Sequence, residues 1–183
     1  HFVAKGLPIV TSIAEDIMLL ERCNLPFQPV SALKSPDPLH RMRVLSQVCI
    51  GQSKVPVADL APLISDPNVI VRRLALVALG KTKDPGAVPF IEKGLADPEN
   101  GVRCMAAHAL EFNQRLESVA ALLAAVEKHA NHPLMEMSRN SLSRFKPAPV
   151  APLVQALQSS KSGAVRTVAA RVLVNLVRVE QLP

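Results

Sequence analysis

The hydrophobic residues of this chain follow a helical rhythm, with apolar positions recurring every three or four residues. The stretch DPNVIVRRLALVALG (66–80) shows it most clearly, at Val71, Leu74, Ala75, Ala78 and Leu79. This spacing places the apolar side chains on one face of an α-helix and the polar ones on the other. The pattern therefore predicts an amphipathic helix that must bury one side against a neighbour.

The same pattern returns 31 residues later, in DPENGVRCMAAHALE (97–111). The Asp-Pro, the Val-Arg pair, two alanines and a leucine all fall in matching places. Three further stretches carry partial versions: DPLHRMRVLSQVCIG (37–51), HPLMEMSRNSLSRFK (132–146) and SGAVRTVAARVLV (162–174). We therefore predict recurring helices that start near residues 38, 67, 98, 133 and 163.

A second apolar element recurs between these helices. Its copies are LAPLISD (60–66), VPFIEKGLAD (88–97), VAALLAAVEK (119–128) and VAPLVQALQS (150–159). Asp-Pro is expected to supply an N-cap followed by proline at the first helical position, where the missing N–H costs nothing. Because neither helix can bury its apolar stripe alone, two-helix units of about 30 residues are predicted to stack into a continuous core.

This consensus, D-P-x-x-x-V-R-x-x-A-x-x-A-L-G with a following A-V-P-x-[LF]-[IV], resembles the short HEAT-like repeat, also found in phycobilin lyase subunits. The resemblance covers about 37–177. TSIAEDIMLLERC (11–23) is predicted as a degenerate first helix starting near residue 11, because Ser12 and Glu15 fit a capping box. The resemblance implies an all-α fold: a right-handed α-α superhelix, or solenoid, of about five helical hairpins over 11–183, after an irregular lead-in at 1–10.

In HEAT-type stacks, the aligned Asp and Arg resemble a buried ladder that links the helix caps of neighbouring units. The resemblance implies a structural role for three pairs and for Arg166, which lacks its Asp; the pairs are Asp37/Arg43, Asp66/Arg72 and Asp97/Arg103. The segment His132–Ser138 departs from the consensus, with Ser138 where Arg is expected. Its unit is 35 residues long in this alignment, which predicts a kink or an exposed loop.

The composition restricts the possible functions less than it restricts the possible folds. The 183 residues carry a formal net charge of +6 and contain no Trp or Tyr, so aliphatic side chains must do the packing. The charge permits an acidic partner without demanding one, since no run of five like charges occurs. Three cysteines without a CxxC motif argue against a disulfide framework or a zinc ribbon. No apolar run approaches the roughly 18 residues of a membrane span, and the compartment stays open.

Cys104 and His108 stand four residues apart, a spacing at which two side chains can hold one metal ion. Their positions in the repeat argue against a metal site, because no other unit has a ligand-type residue there. Since the position of Cys104 holds Arg in two other units, we expect it near the surface. His129 and His132 are expected in a polar loop. The sequence thus predicts no catalytic, cofactor-binding or metal-binding residue.

Other HEAT-like enzymes are poor matches. The iron-binding hydroxylases that this architecture resembles use paired His-Glu motifs, and this chain has no His-Glu dipeptide. The HEAT-like alkylpurine DNA glycosylases use an aromatic-lined pocket, which a chain without Trp and Tyr does not provide. We therefore predict a non-enzymatic protein–protein interaction scaffold without a cofactor, as a module of a larger protein. The alternatives left open are a nucleic-acid-binding solenoid and a phycobilin-lyase-like chromophore chaperone.

Overall fold

The computed structural model of the chain describes residues 17–18 and 26–180, with side chains up to Val177. The expected lead-in at 1–10, the capping box of Ser12 and Glu15, and Cys23 lie outside the described residues. Within the described residues there are nine α-helices and no strand. The chain is therefore all-α, as the hydrophobic rhythm predicts.

The helices follow one another with short connections. They are α1 (Pro38–Cys49), α2 (Val57–Leu60), α3 (Val69–Thr82), α4 (Val88–Gly94), α5 (Asn100–Asn113), α6 (Ser118–His129), α7 (His132–Leu142), α8 (Val150–Ser159) and α9 (Gly163–Glu180). Three short 3₁₀ segments accompany them, at Val30–Lys34, Ala61–Ser65 and Pro85–Ala87. None of the helices in the described part of the chain is long and apolar enough to cross a membrane.

Two rows of helices make up the solenoid. In the first row α1, α3, α5, α7 and α9 pack side by side in chain order, each against the next. The second row consists of α2 with its 3₁₀ extension, then α4, α6 and α8, each packed on a neighbouring helix of the first row. This stacking of helical hairpins confirms the predicted helical solenoid.

The repeat is more regular than the sequence alignment indicates. The first-row helices begin at residues 38, 69, 100, 132 and 163, so successive intervals are 31, 31, 32 and 31 residues. The predicted 35-residue unit with a kink or loop at His132–Ser138 is wrong, because α7 runs unbroken from His132 to Leu142. Because α7 lacks the Arg that the consensus expects, the sequence alignment was shifted by about one helical turn.

The core is built from aliphatic and small side chains, as expected of a chain without Trp and Tyr. Four second-row residues spaced by 31 are fully buried: Leu60, Ile91, Leu122 and Leu153. The four alanines that fall in matching places of the two clearest repeats are fully buried too: Ala75, Ala78, Ala106 and Ala109. At Gly80 the helices approach so closely that a Cβ atom would lie 2.8 Å from the carbonyl oxygen of Ala109.

The Asp-Pro pairs do not all start their helices. Asp37 caps α1, and its carboxylate accepts the N–H of Leu39, as predicted. α3 and α5 begin two residues later than expected, because Asp66 and Asp97 instead fold the turns before them. The carboxylate of each accepts the N–H of the residue two positions later, at 2.8 Å. Asn68 then caps α3 in place of Asp66.

Candidate functional site

The arginine ladder is formed, and its best-defined rung joins α3 to the unit that follows. Arg72 binds Asp97 through two contacts, Nε to Oδ2 at 2.8 Å and Nη2 to Oδ1 at 3.1 Å. Its third nitrogen, Nη1, donates to the carbonyl oxygen of Asp66 at 3.0 Å. Both side chains are largely buried, and the hydrogen bond that Arg72 donates to Asp97 raises the pKa of Arg72.

The preceding rung has the same design but uses a different arginine from the one predicted. Arg41 places Nε 2.9 Å from Oδ2 of Asp66 and donates from Nη2 to Oδ1 at 3.1 Å. Its Nη1 donates to the carbonyl oxygen of Ser35 at 2.6 Å. The predicted pair Asp37/Arg43 is therefore wrong. Matching Asp37-Pro38 to Asp66-Pro67 shifted the sequence alignment by two residues.

The ion pairs connect successive units, whereas contacts within a unit are made to the backbone. The carboxylate of Asp66 accepts a hydrogen bond from Arg41 of the preceding unit. Its carbonyl oxygen accepts one from Arg72 of its own unit. Each aspartate therefore ties a turn, a helix and the neighbouring repeat together. Asp66/Arg72 and Asp97/Arg103 were correctly singled out as ladder residues, but neither pair forms an ion pair.

The third rung is incomplete. Arg103 donates from Nη1 to the carbonyl oxygens of Asp97 and Pro98, at 2.7 and 2.8 Å. Its Nη2 lies 3.3 Å from Oδ1 of Asn100, and its buried Nε has no hydrogen-bond partner among the described residues. The residue 31 positions after Asp97 is Lys128, so the sequence supplies no carboxylate where the third rung needs one.

The backbone differs at this rung as well. α6 continues to His129 and ends in the left-handed conformation of Ala130, at φ 41°. Asn131 then caps α7 by accepting the N–H of Leu134, at 3.0 Å. The turn that presents Asp66 and Asp97 to the preceding arginine is thus replaced by a two-residue link between α6 and α7.

A groove of about 180 Å³ lies between α4 and α6, next to this link. Its lining includes Glu92 and Ala96 on one side, and Ala121, Lys128 and His129 on the other. Partial burial lowers the pKa of His129, and the positive charges of Arg103 and Lys128 lower it further. The groove therefore has a cationic end, with Glu92 hydrogen-bonded to Ser118 at 2.7 Å.

The residues that first look like chemistry have structural neighbours. Cys104 is fully buried, which corrects the expected surface position, and burial raises its pKa to about 11. His108 lies 3.5 Å from Oε2 of Glu111 and packs edge-on against Phe112. Among the described residues, no group of three or more His, Cys, Asp or Glu side chains could hold a metal ion.

The remaining candidates, Arg166, His129 and His132, lie in the second half of the chain. Arg166 donates to the carbonyl oxygen of Ser160 at 2.8 Å, in the manner of the ladder arginines, and is exposed. His132 is not in a loop but is the exposed first residue of α7, and His129 is the last residue of α6. The sequence reasoning missed the interruption at Lys128, although the 31-residue spacing from Asp97 points to it.

Stacked helical hairpins define the α-solenoid class of repeat proteins. The chain matches the HEAT repeats family over residues 29–111 and again over 57–143. Together the two matches span more than half of the chain, so it belongs to the HEAT repeat family. HEAT repeats commonly serve as protein-interaction scaffolds and are generally non-enzymatic. No curated protein matches the chain.

Proposed function

We propose that the chain is a non-enzymatic protein-interaction scaffold, a module of a larger protein whose solenoid runs over 11–183. The observation that supports it most is the surface of the second-row helices. Phe90 on α4 and three residues of α8 expose apolar side chains there: Val150, Val154 and Leu157. Exposed apolar side chains in a row on a repeat surface favour binding of a protein segment.

The apolar row on α8 has the spacing of one helix face. Val150, Val154 and Leu157 are four and three residues apart, and each is more than a third exposed. The residues 31 positions earlier, on α6, are better covered, since Val119 and Val126 are almost fully buried. Leu123, the counterpart of Val154, is partly buried. α8 therefore exposes more of this apolar face than the preceding unit does, and an amphipathic partner segment would cover it.

The positive charge lends less support to a nucleic-acid partner than the count of basic residues suggests. Arg41 and Arg72 are ion-paired with Asp66 and Asp97, so their charges are neutralised inside the ladder. Nucleic-acid binding and chromophore binding are kept as outcomes of the experiment below. The first would show steep loss of affinity with salt, because several phosphate contacts are needed.

The test is affinity capture from extracts of the source cells, followed by binding measurements with the purified partner. Val154→Lys should weaken binding by roughly tenfold or more, since it places a charge in an apolar contact. Val174→Lys is the matched control: Val174 is 50% exposed and lies on the last first-row helix. It should bind like the unchanged chain.

Four outcomes would contradict the proposal. If no protein binds saturably, or if capture disappears after nuclease treatment, the scaffold function is wrong. A chain that retains an added bilin and captures no protein would point to the chromophore chaperone instead. Equal affinity of the Val154→Lys and unchanged chains would remove the second-row surface as the binding face.

A further inference from the structure

The guanidinium of Arg103 has an open edge, formed by Nε and Nη2, to which no carboxylate binds. In two other arginines of the ladder the same edge contacts an aspartate. In Arg41 and Arg72, the edge formed by Nε and Nη2 contacts both oxygens of an aspartate. Nη1 of Arg103 donates to the carbonyl oxygens five and six residues upstream, as Nη1 does in Arg41 and Arg72. Its Nε–Nη2 edge is therefore fixed in place, with only a 3.3 Å contact to Asn100.

The open edge of Arg103 is also buried. Arg103 is only 9% exposed, and its Nε is both buried and without a hydrogen-bond partner among the described residues. Buried polar groups normally find a partner, because folding has removed the water that would otherwise bind them. A group that supplies an acceptor here would restore a hydrogen bond that the fold itself leaves unmade.

The shape of the edge selects the kind of acceptor. Two parallel N–H groups of a guanidinium match the two oxygens of a carboxylate, which is the group bound at both completed rungs. Lys128 adds a positive charge at the end of the groove between α4 and α6. Lys128 is exposed, and its long flexible side chain can move aside for a ligand.

We propose that Arg103 binds an aspartate or glutamate side chain of a partner protein, which completes the interrupted third rung of the ladder. The partner's carboxylate takes the place that Asp66 and Asp97 hold in the rungs of Arg41 and Arg72. The adjoining groove receives the residues next to that carboxylate. This site rests on the proposed scaffold function, for which it specifies the partner's chemistry.

The test is a titration of the whole chain with N-acetyl-aspartate amide, followed through the Nε–H signals of arginine in ¹H–¹⁵N NMR spectra. Arg103→Lys identifies the Arg103 signal by its loss. We expect this signal to move downfield and saturate at millimolar concentration, while the signal of Arg72, already bound to Asp97, stays in place. N-acetyl-asparagine amide, which has the same shape without the charge, should leave both signals unmoved.

Affinity for the acidic probe should fall on the order of tenfold in Arg103→Lys, measured on the backbone signals of Lys128 and His129, because lysine cannot offer two parallel donors. Arg115→Gln removes one positive charge from an exposed position and should leave the affinity unchanged. An unmoved Arg103 signal would overturn the proposal. So would an equal response to the asparagine probe or to inorganic phosphate.

The site and the scaffold function fail in different ways. If the purified partner binds Arg103→Lys and the unchanged chain equally, the scaffold function stands and the Arg103 site is wrong. If the chain captures no protein but Arg103 responds to the acidic probe, the scaffold function is wrong and the carboxylate site remains. A partner whose affinity falls about tenfold with Arg103→Lys, and whose own Asp→Asn or Glu→Gln change has the same effect, supports both.

Discussion

Arg72 on α3 and Asp97, in the turn before α5, form a two-pronged ion pair between successive repeats, with Nε–Oδ2 and Nη2–Oδ1 distances of 2.8 and 3.1 Å. The same aspartate accepts the N–H of Glu99 and so shapes the turn that presents it. The contact therefore couples the folding of one turn to the stacking of its neighbour. Because both side chains are largely buried, each depends on the other to offset the loss of water.

This coupling predicts a large interaction free energy in a double-mutant cycle of Arg72→Gln and Asp97→Asn. Each single change should destabilise the chain by about 1–3 kcal/mol, because it leaves the other group buried without its partner. The double variant should be less destabilised than the sum of the two. The measurement is urea unfolding followed by circular dichroism. Strictly additive effects would mean that the ion pair contributes nothing to stacking.

Removing the charge of Arg103 should raise the pKa of His129. Partial burial and the positive charges of Arg103 and Lys128 lower this pKa from its ordinary value of 6.5, and Glu92 also lines the groove. In Arg103→Gln one of the two repelling charges is gone, so the imidazolium becomes easier to form. An NMR titration of the His129 ring protons measures the shift, with Arg115→Gln as the control of equal charge change.

The sign of the linked stability follows from the same shift. Because the pKa of His129 is lower in the folded chain, the unfolded chain takes up the proton first as the pH falls below 6.5. The contribution of His129 to the stability is therefore full above that pH and is lost as the pH decreases toward the folded pKa. Arg103→Gln should narrow the pH range over which this stability is lost. A His129 pKa that is the same in both chains would show that Arg103 does not act on this ring.

Gly80→Ala should destabilise the chain, although alanine is the better helix former. A Cβ atom at residue 80 would lie 2.8 Å from the carbonyl oxygen and 3.0 Å from the Cα of Ala109, so α3 and α5 would have to separate. Overpacking of this kind costs about 1–3 kcal/mol, which exceeds the gain of up to about 1 kcal/mol from helix propensity. Urea unfolding measures the difference.

Gly163→Ala is the matched control for this change. Gly163 also lies in a helix, and its Cβ would meet nothing within 4 Å. The substitution should leave the stability unchanged or raise it slightly. If Gly80→Ala were equally harmless, the close approach of α3 and α5 would not be needed for stacking.

The hydrophobic rhythm was sufficient to predict the solenoid because its signal is local. Intervals of three and four residues fix which side of a helix is apolar, and small residues such as Ala75 and Ala106 indicate close helix packing. Both features depend on neighbours within one helix. The family assignment then followed from the recurrence of this pattern along the chain.

The ladder could be predicted only in outline, because its geometry depends on contacts about 25 residues apart. The consensus pairs Asp66 with Arg72, whereas the carboxylate is turned back toward Arg41 by the turn it shapes. Nothing within the motif reveals that direction. Asp37-Pro38 shifted the alignment because Asp37 caps a helix directly, whereas Asp66 and Asp97 shape the turns before their helices.

Cys104 shows a second limit of reading positions along a repeat. The place it occupies holds Arg73 in the preceding unit, which suggested a surface position, yet Cys104 is fully buried. A long arginine can bury its stem and carry its charge outward, so an arginine in one unit does not make the position exposed in the next. Side-chain length must therefore be considered along with polarity.

The most direct test of the interrupted ladder is the ¹H–¹⁵N NMR spectrum of the arginine Nε–H groups of the ligand-free chain. Arg72 should give a downfield signal that exchanges slowly with water, because its Nε donates to Oδ2 of Asp97 at 2.8 Å. Arg103 should give a signal without that downfield shift. Signals of Arg72 and Arg103 that are alike, or a downfield signal from Arg103 that is insensitive to added carboxylate, would contradict the interrupted ladder.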